Sequence, residues 1–181
     1  MKKLVLILLT IGLVVSSSTV FAAEKASLGM GNLALKVDYI NFTESALEHA
    51  DADSGLYLGI EGYTQILPAL YLGLEAGYAN PDGDVELTYV PVELNLKYAI
   101  PASPDFVMDL GAGASYNYAK FENGGSDDDW LFGGQVFIDV NYTSGGFFVG
   151  INGKYQLTED FSNSSLSLDN WRVGGQVGIM F

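Results

Sequence analysis

The sequence predicts an all-β chain, an eight-stranded antiparallel up-and-down transmembrane β-barrel. Three observations predict it. Segments of about ten residues with alternating apolar and polar side chains recur eight times. The connections between them alternate between short and long. After Ala22 no apolar run is long enough to cross a bilayer as a helix, so a membrane chain of this kind must close into a barrel to satisfy its backbone.

The first 22 residues are set apart from the fold. Lys2 and Lys3 form a positive start, Leu4 to Val15 an apolar stretch, and Val20-Phe21-Ala22 a small-residue cleavage site. That order reads as a secretory signal peptide over 1–22, cleaved after Ala22, with the barrel domain over 23–181. Removal of Lys2 and Lys3 leaves six basic against 22 acidic residues, a net charge of −16. So acidic a chain argues against a nucleic-acid partner, whose phosphates need a basic surface. It is also nearly half hydrophobic and rich in Tyr, Phe and Gly, which excludes an acidic disordered chain. It contains no cysteine, so export imposes no disulfide.

The strands follow in order. The first, about Asn32 to Phe42, sets Leu33, Leu35, Val37 and Tyr39 against Ala34, Lys36, Asp38 and Ile40. The second, about Leu56 to Ile66, sets Leu56, Leu58 and Ile60 against Tyr57, Glu61, Tyr63 and Gln65. In the third, about Leu70 to Tyr78, Leu72, Leu74, Ala76 and Tyr78 oppose Tyr71, Gly73, Glu75 and Gly77. The fourth is the clearest: Val90, Val92, Leu94, Leu96 and Tyr98 alternate with Pro91, Glu93, Asn95, Lys97 and Ala99. The fifth (about Phe106 to Phe121) places Asp109 and Asn117 on its polar face, and the sixth (about Trp130 to Tyr142) places Gln135, Asp139 and Asn141 there. The seventh (about Gly146 to Thr158) carries Asn152, Lys154 and Gln156, and the eighth (Asn170 to the end) carries Arg172, Gln176 and Met180. The polar face is predicted to point inward, because Gly, Asn, Gln and Tyr suit a narrow lumen better than a solvated surface.

Three connections are short: Leu67-Pro68-Ala69, Pro101 to Asp105 and Thr143 to Gly145. Four are longer and polar: Thr43 to Gly55, Ala79 to Leu87, Glu122 to Asp129 and Glu159 to Asp169. Aromatics mark both strand ends, with Tyr98, Phe106, Tyr142, Phe147 and Phe181 at one and Tyr39, Tyr78, Tyr116, Trp130 and Trp171 at the other. Both features orient a bacterial outer-membrane barrel with its termini and short turns in the periplasm and its long loops outside.

Three stretches carry a family resemblance: Trp171-Arg172-Val173-Gly174-Gly175-Gln176-Val177-Gly178-Ile179-Met180-Phe181, Val90-Pro91-Val92-Glu93-Leu94-Asn95-Leu96-Lys97-Tyr98, and Gly111-Ala112-Gly113-Ala114. On these the chain resembles the small porin-like outer-membrane β-barrels that include OmpA and OmpX, over roughly Glu24 to Phe181. The resemblance implies a cell outer-membrane location in a Gram-negative bacterium, with outer-membrane lipids and lipopolysaccharide around the barrel. A terminal Phe181 resembles the signal read by the barrel assembly machinery. A peptidoglycan-binding domain is not expected after Phe181. Architecture is well specified by such a resemblance and activity poorly.

No residue is singled out as catalytic, cofactor-binding or metal-ligating, and no cofactor is expected. A lipid A-modifying activity would rest on the one histidine, His49, in the first long loop, with Ser126 and Asp127 as conceivable partners, and a solvated loop histidine is the favoured reading. The acidic loops lack EF-hand spacing. The leading expectation is a monomeric, non-enzymatic protein of structural or surface-interaction type. The alternative is a narrow cation-favouring pore. Four of the six remaining basic residues, Lys36, Lys97, Lys154 and Arg172, share the inward face with Asp38, Glu61, Glu75, Glu93, Asp109 and Asp139. Buried charge demands partners, so a closed ionic lumen is expected, with Lys97 opposite Asp109 across a turn centred on Ser103 and with Lys36 and Asp38 near Glu61.

Overall fold

A computed structural model describes residues 27–49, 52–81, 83, 86–122, 126–161 and 166–181. The expected signal peptide and the loop acids Asp51, Asp82 and Asp84 lie outside the described residues. Eight strands form one closed barrel in chain order: β1 (Gly31–Phe42), β2 (Ser54–Leu67), β3 (Leu70–Ala79), β4 (Glu86–Pro101), β5 (Phe106–Glu122), β6 (Ser126–Ser144), β7 (Phe147–Thr158) and β8 (Asn170–Met180). Every neighbouring pair is antiparallel.

Closure is made between β1 and β8, in register from Asn32↔Met180 to Phe42↔Asn170. Phe181 extends the seam: Gly31 N donates to Phe181 O at 2.8 Å and Phe181 N to Gly31 O at 2.9 Å. No strand is left as an edge in the closed part of the sheet, which is what lipid requires.

The period-2 pattern sorts side chains as the sequence predicts. Leu35, Leu58, Leu74, Leu94, Ile151 and Val177 are exposed on the outer wall, while Lys36, Glu61, Glu75, Glu93, Asn152 and Arg172 are buried inside. A soluble barrel would reverse this arrangement. Aromatic contacts gather at both ends of the outer wall: Tyr39 with Trp171 and stacked Tyr116 with Trp130 at the loop end, Phe106 with Tyr142 at the turn end.

Three expected loops are shorter than the sequence places them, the first because β2 begins at Ser54. β4 begins at Glu86, and β6 begins at Ser126, so Asp127, Asp128 and Asp129 are strand residues paired with Phe121, Lys120 and Ala119. The β5–β6 hairpin reaches past β7, whose pairing with β6 ends at Gly133↔Thr158. Acidic residues are poor strand formers on average, but hairpin pairing overrides that weak preference. The first long loop contains a helical turn, α1 (Ser45–Glu48), whose Leu47 is buried at the barrel mouth.

The short turns are built as their residues require. Pro68 at the second position and Ala69 at φ 64° match a type II turn between β2 and β3. The β4–β5 turn is centred on Pro104, one residue beyond the expected Ser103. Lys97 therefore faces Gly111, and Asp109 faces Ala99. Ala102 N and Ser103 N both reach Phe106 O, and this pulls the turn toward β5.

Candidate functional site

The candidate site is the lumen, which is filled in three layers. At the loop end Ile40, Phe42, Leu47, Tyr57, Tyr89, Leu131, Phe161 and Leu168 form an apolar plug, with two side chains contributed by the last long connection. At the turn end Leu28, Tyr63, Tyr71, Val107, Phe137 and Phe148 form another. Leu28 is fully buried ahead of β1, and Tyr71 Oη donates to Gly29 O at 2.8 Å, holding this segment across the mouth.

Between the plugs lies the ionic layer. Glu61, Glu75 and Glu93 occupy directly opposed positions on β2, β3 and β4, so one wall carries three adjacent carboxylates. Like charges in such a row repel and need cations across the lumen. Lys36 on β1, Lys154 on β7 and Arg172 on β8 supply them. Lys36 Nζ is 3.1 Å from Glu61 Oε2 and 3.3 Å from Glu75 Oε2. Lys154 Nζ is 2.6 Å from Glu75 Oε2 and also pairs with Glu93. Arg172 reaches Glu75 Oε1 at 3.4 Å and pairs with Glu93. Tyr57 Oη donates to Glu75 Oε1 at 2.8 Å, and the Arg172 guanidinium lies 4.4 Å from the Tyr57 ring. Glu75 thus takes three cations and a phenol. A Cβ at Gly77 would collide with the Tyr57 ring, so glycine on β3 makes the room that this tyrosine fills.

Lys97 and Asp109 do meet, at 3.3 Å, although they are not directly opposed; the lysine side chain spans the offset. The lysine also lies 4.0 Å from Glu61 Oε1 and 4.0 Å from the Tyr63 ring centroid. Asp38 does not join Glu61. It accepts from Asn152 Nδ2 at 2.9 Å across β8, where Gly174 has no side chain to intervene. Asp139 completes the inward set, fully buried on β6.

A polar belt of amides and hydroxyls extends the network. Tyr89 Oη donates to Gln156 Oε1 at 2.7 Å, and Gln156 Nε2 donates to Ser115 Oγ at 2.7 Å. Gln135 Nε2 donates to Asn95 Oδ1 at 2.7 Å. These partners were not deduced from the sequence. The inward parity of Gln135 and Gln156 is the signal that places them in the lumen.

His49 lies on the exposed loop, with Nδ1 2.6 Å from the backbone oxygen of Ser45. Ser126 and Asp127, its conceivable partners, belong to β6. Among the described residues no three His, Cys, Asp or Glu side chains converge as a metal-holding group.

No family model and no curated protein matches the sequence. Solved structures do. Neisserial surface protein A (NspA) is 14% identical with a TM-score of 0.71, over 84% of this chain and 98% of that one. The N-terminal β-barrel domain of Pseudomonas aeruginosa OprF is 12% identical with a TM-score of 0.61, over 84% and 98%. Ail, the attachment invasion locus protein of Yersinia pestis, is 10% identical with a TM-score of 0.55, over 83% and 99%; it has also been solved with the heparin analogue sucrose octasulfate. The chain shares the fold of these small eight-stranded outer-membrane β-barrels. At such identities the likeness is one of fold.

Proposed function

We propose that this chain is an integral protein of a Gram-negative outer membrane, of structural or surface-interaction type, whose lumen is closed to ions. The observation that carries this reading is the filled lumen: buried ion pairs bridge opposite walls between two apolar plugs. An eight-stranded barrel leaves little interior beyond what side chains occupy. Apolar plugs at both mouths add the desolvation cost of moving an ion through hydrocarbon-like side chains.

In this reading residues 1–22 are a cleaved signal, both termini and the short turns face the periplasm, and the long connections face outside. The barrel is a monomer surrounded by outer-membrane lipids and lipopolysaccharide. It reaches the membrane through the barrel assembly machinery, which engages the strand ending at Phe181. External contacts fall to the acidic loop end, where Glu44, Glu48, Glu122, Asp127, Asp128 and Glu159 gather. That charge favours basic partners and disfavours a polyanion such as the heparin analogue bound by Ail. An enzymatic role gains no support from His49, whose ring is held by a backbone carbonyl.

Conductance across planar bilayers tests the reading. Native protein is expected to give no steady single-channel current. Steady cation-selective steps would overturn the closed lumen and favour the narrow-pore alternative. Mass spectrometry of lipid A with and without the gene is expected to show one unchanged profile.

A further inference from the structure

The inward face carries six carboxylates and only four bases, and the network shows where the surplus lies. Glu61, Glu75, Glu93 and Asp109 hold the four cations. The two carboxylates left over are Asp38, which accepts from Asn152, and Asp139. Asp139 is fully buried, and neither of its oxygens meets a donor. A carboxylate taken out of water with both oxygens unpaired costs several kcal/mol.

Its neighbours deepen the deficit. Asp139 directly faces Asp109 on β5 and Asn152 on β7. Asp109 Oδ2 accepts from Asn141 and pairs with Lys97, while its Oδ1 has no partner. Asn152 spends its amide nitrogen on Asp38, and its Oδ1, on a side chain almost wholly buried, has no partner either. Four oxygens on three adjacent strands are thus acceptors without donors. Lys36, Lys97 and Lys154 pair with Glu61, Asp109 and Glu75, and none of them makes a hydrogen bond to Asp139.

We propose that Asp139 and Asp109, together with the side-chain oxygen of Asn152, hold one calcium ion inside the lumen. Protonation would neutralise Asp139 but supplies one donor to four acceptors, whereas one cation answers the four acceptors and the charge together. The ligand set carries two carboxylates, Asp139 with no cation of its own and Asp109 sharing its charge with Lys97, and a pair of carboxylates suits a divalent ion. Strands about 4.8 Å apart place Asp109 and Asn152 on either side of Asp139, a span that two short side chains and one ion can bridge. Mixed carboxylate and amide oxygens in flexible geometry suit calcium, which takes 6–8 oxygens at about 2.3–2.6 Å; water completes the shell. Magnesium demands a tighter octahedron than one strand row offers. The plugs at both mouths make the ion slow to exchange, so it enters during folding.

The full chain, purified from membranes in detergent, is dialysed against EDTA and its metal content measured. One calcium per chain is expected, and none in Asp139→Asn. Chain unfolded and refolded with excess calcium should unfold roughly 5–10 °C higher than chain refolded in EDTA, at a hundredfold excess over the dissociation constant. Asp139→Asn should lose this shift. It should also exceed the native chain in EDTA, since it removes an unpaired buried charge. Asn152→Ala should weaken the shift, and Asp127→Asn with Asp128→Asn on the outer hairpin should leave it intact. Native protein without metal, equal metal in Asp139→Asn, or an equal shift with sodium or magnesium would overturn the proposal.

Discussion

Glu75 shows how much one inward residue carries. Its carboxylate takes Lys36, Lys154 and Arg172 together with the Tyr57 hydroxyl, so its removal leaves cations on three other strands short of a partner. Glu75→Gln is therefore expected to cost about 3–5 kcal/mol, the range for breaking a buried pair from one side. Denaturant unfolding of the refolded barrel in detergent measures it, and a loss below about 1 kcal/mol, as for a surface pair, would show that the network is solvated. Which side of the wall each charge faces was legible, because strand parity groups the charges on one face and the Gly, Asn, Gln and Tyr that share it suit a narrow lumen. Which charge meets which was only partly legible. Lys36 with Glu61 and Lys97 with Asp109 were expected and are present, but the hub at Glu75 was not expected. Its partners come from β1, β7 and β8, across the lumen, where sequence spacing carries no information. The Asp139 cluster was invisible for a related reason: it is defined by donors that are missing.

At the scale of elements, turns and strand ends separate what the sequence reveals from what it hides. Pro68-Ala69 announced a tight turn, and its cost is visible in Ala69 at positive φ. Ala69→Gly should relieve that strain. The gain should stay within about 1 kcal/mol, because glycine also frees the unfolded chain. A thermal scan of the variant that falls rather than rises would contradict the turn assignment. The loop-side ends of β4 and β6 were hidden, since beyond the bilayer no apolar alternation is imposed and the acidic run Asp127 to Asp129 reads as loop. The helical turn α1 was hidden too, being too short to show a helical period. The orientation of these ends can be checked with epitopes, because exposed connections tolerate insertion. A tag after Asp51 should be labelled on intact cells, and one after Ala102 only once the outer membrane is opened. Labelling after Ala102 on intact cells would invert the barrel.

For the whole molecule the decisive contact is the seam. Eight strands close because β1 and β8 pair over their length and Phe181 adds two backbone hydrogen bonds with Gly31. A closed barrel exposes no strand edge to detergent, so the native chain should be heat-modifiable: unboiled and boiled samples should migrate differently in SDS gels. Deleting Phe181 separates two roles of that residue. As a seam residue it contributes two hydrogen bonds worth about 0.5–1.5 kcal/mol each, and its ring is largely exposed on the outside. The truncated chain should therefore still refold in detergent and remain heat-modifiable, with only a modest loss of stability. As an assembly signal it would act before the barrel closes, so its loss should lower the yield and rate of insertion in cells well beyond what that stability change accounts for. Pulse-chase labelling of outer membranes, set beside refolding in detergent, reads both quantities. Equal insertion in cells with and without Phe181 would leave it a seam residue only. Failure to refold in detergent would mean that closure depends on Phe181 far more than its two hydrogen bonds allow.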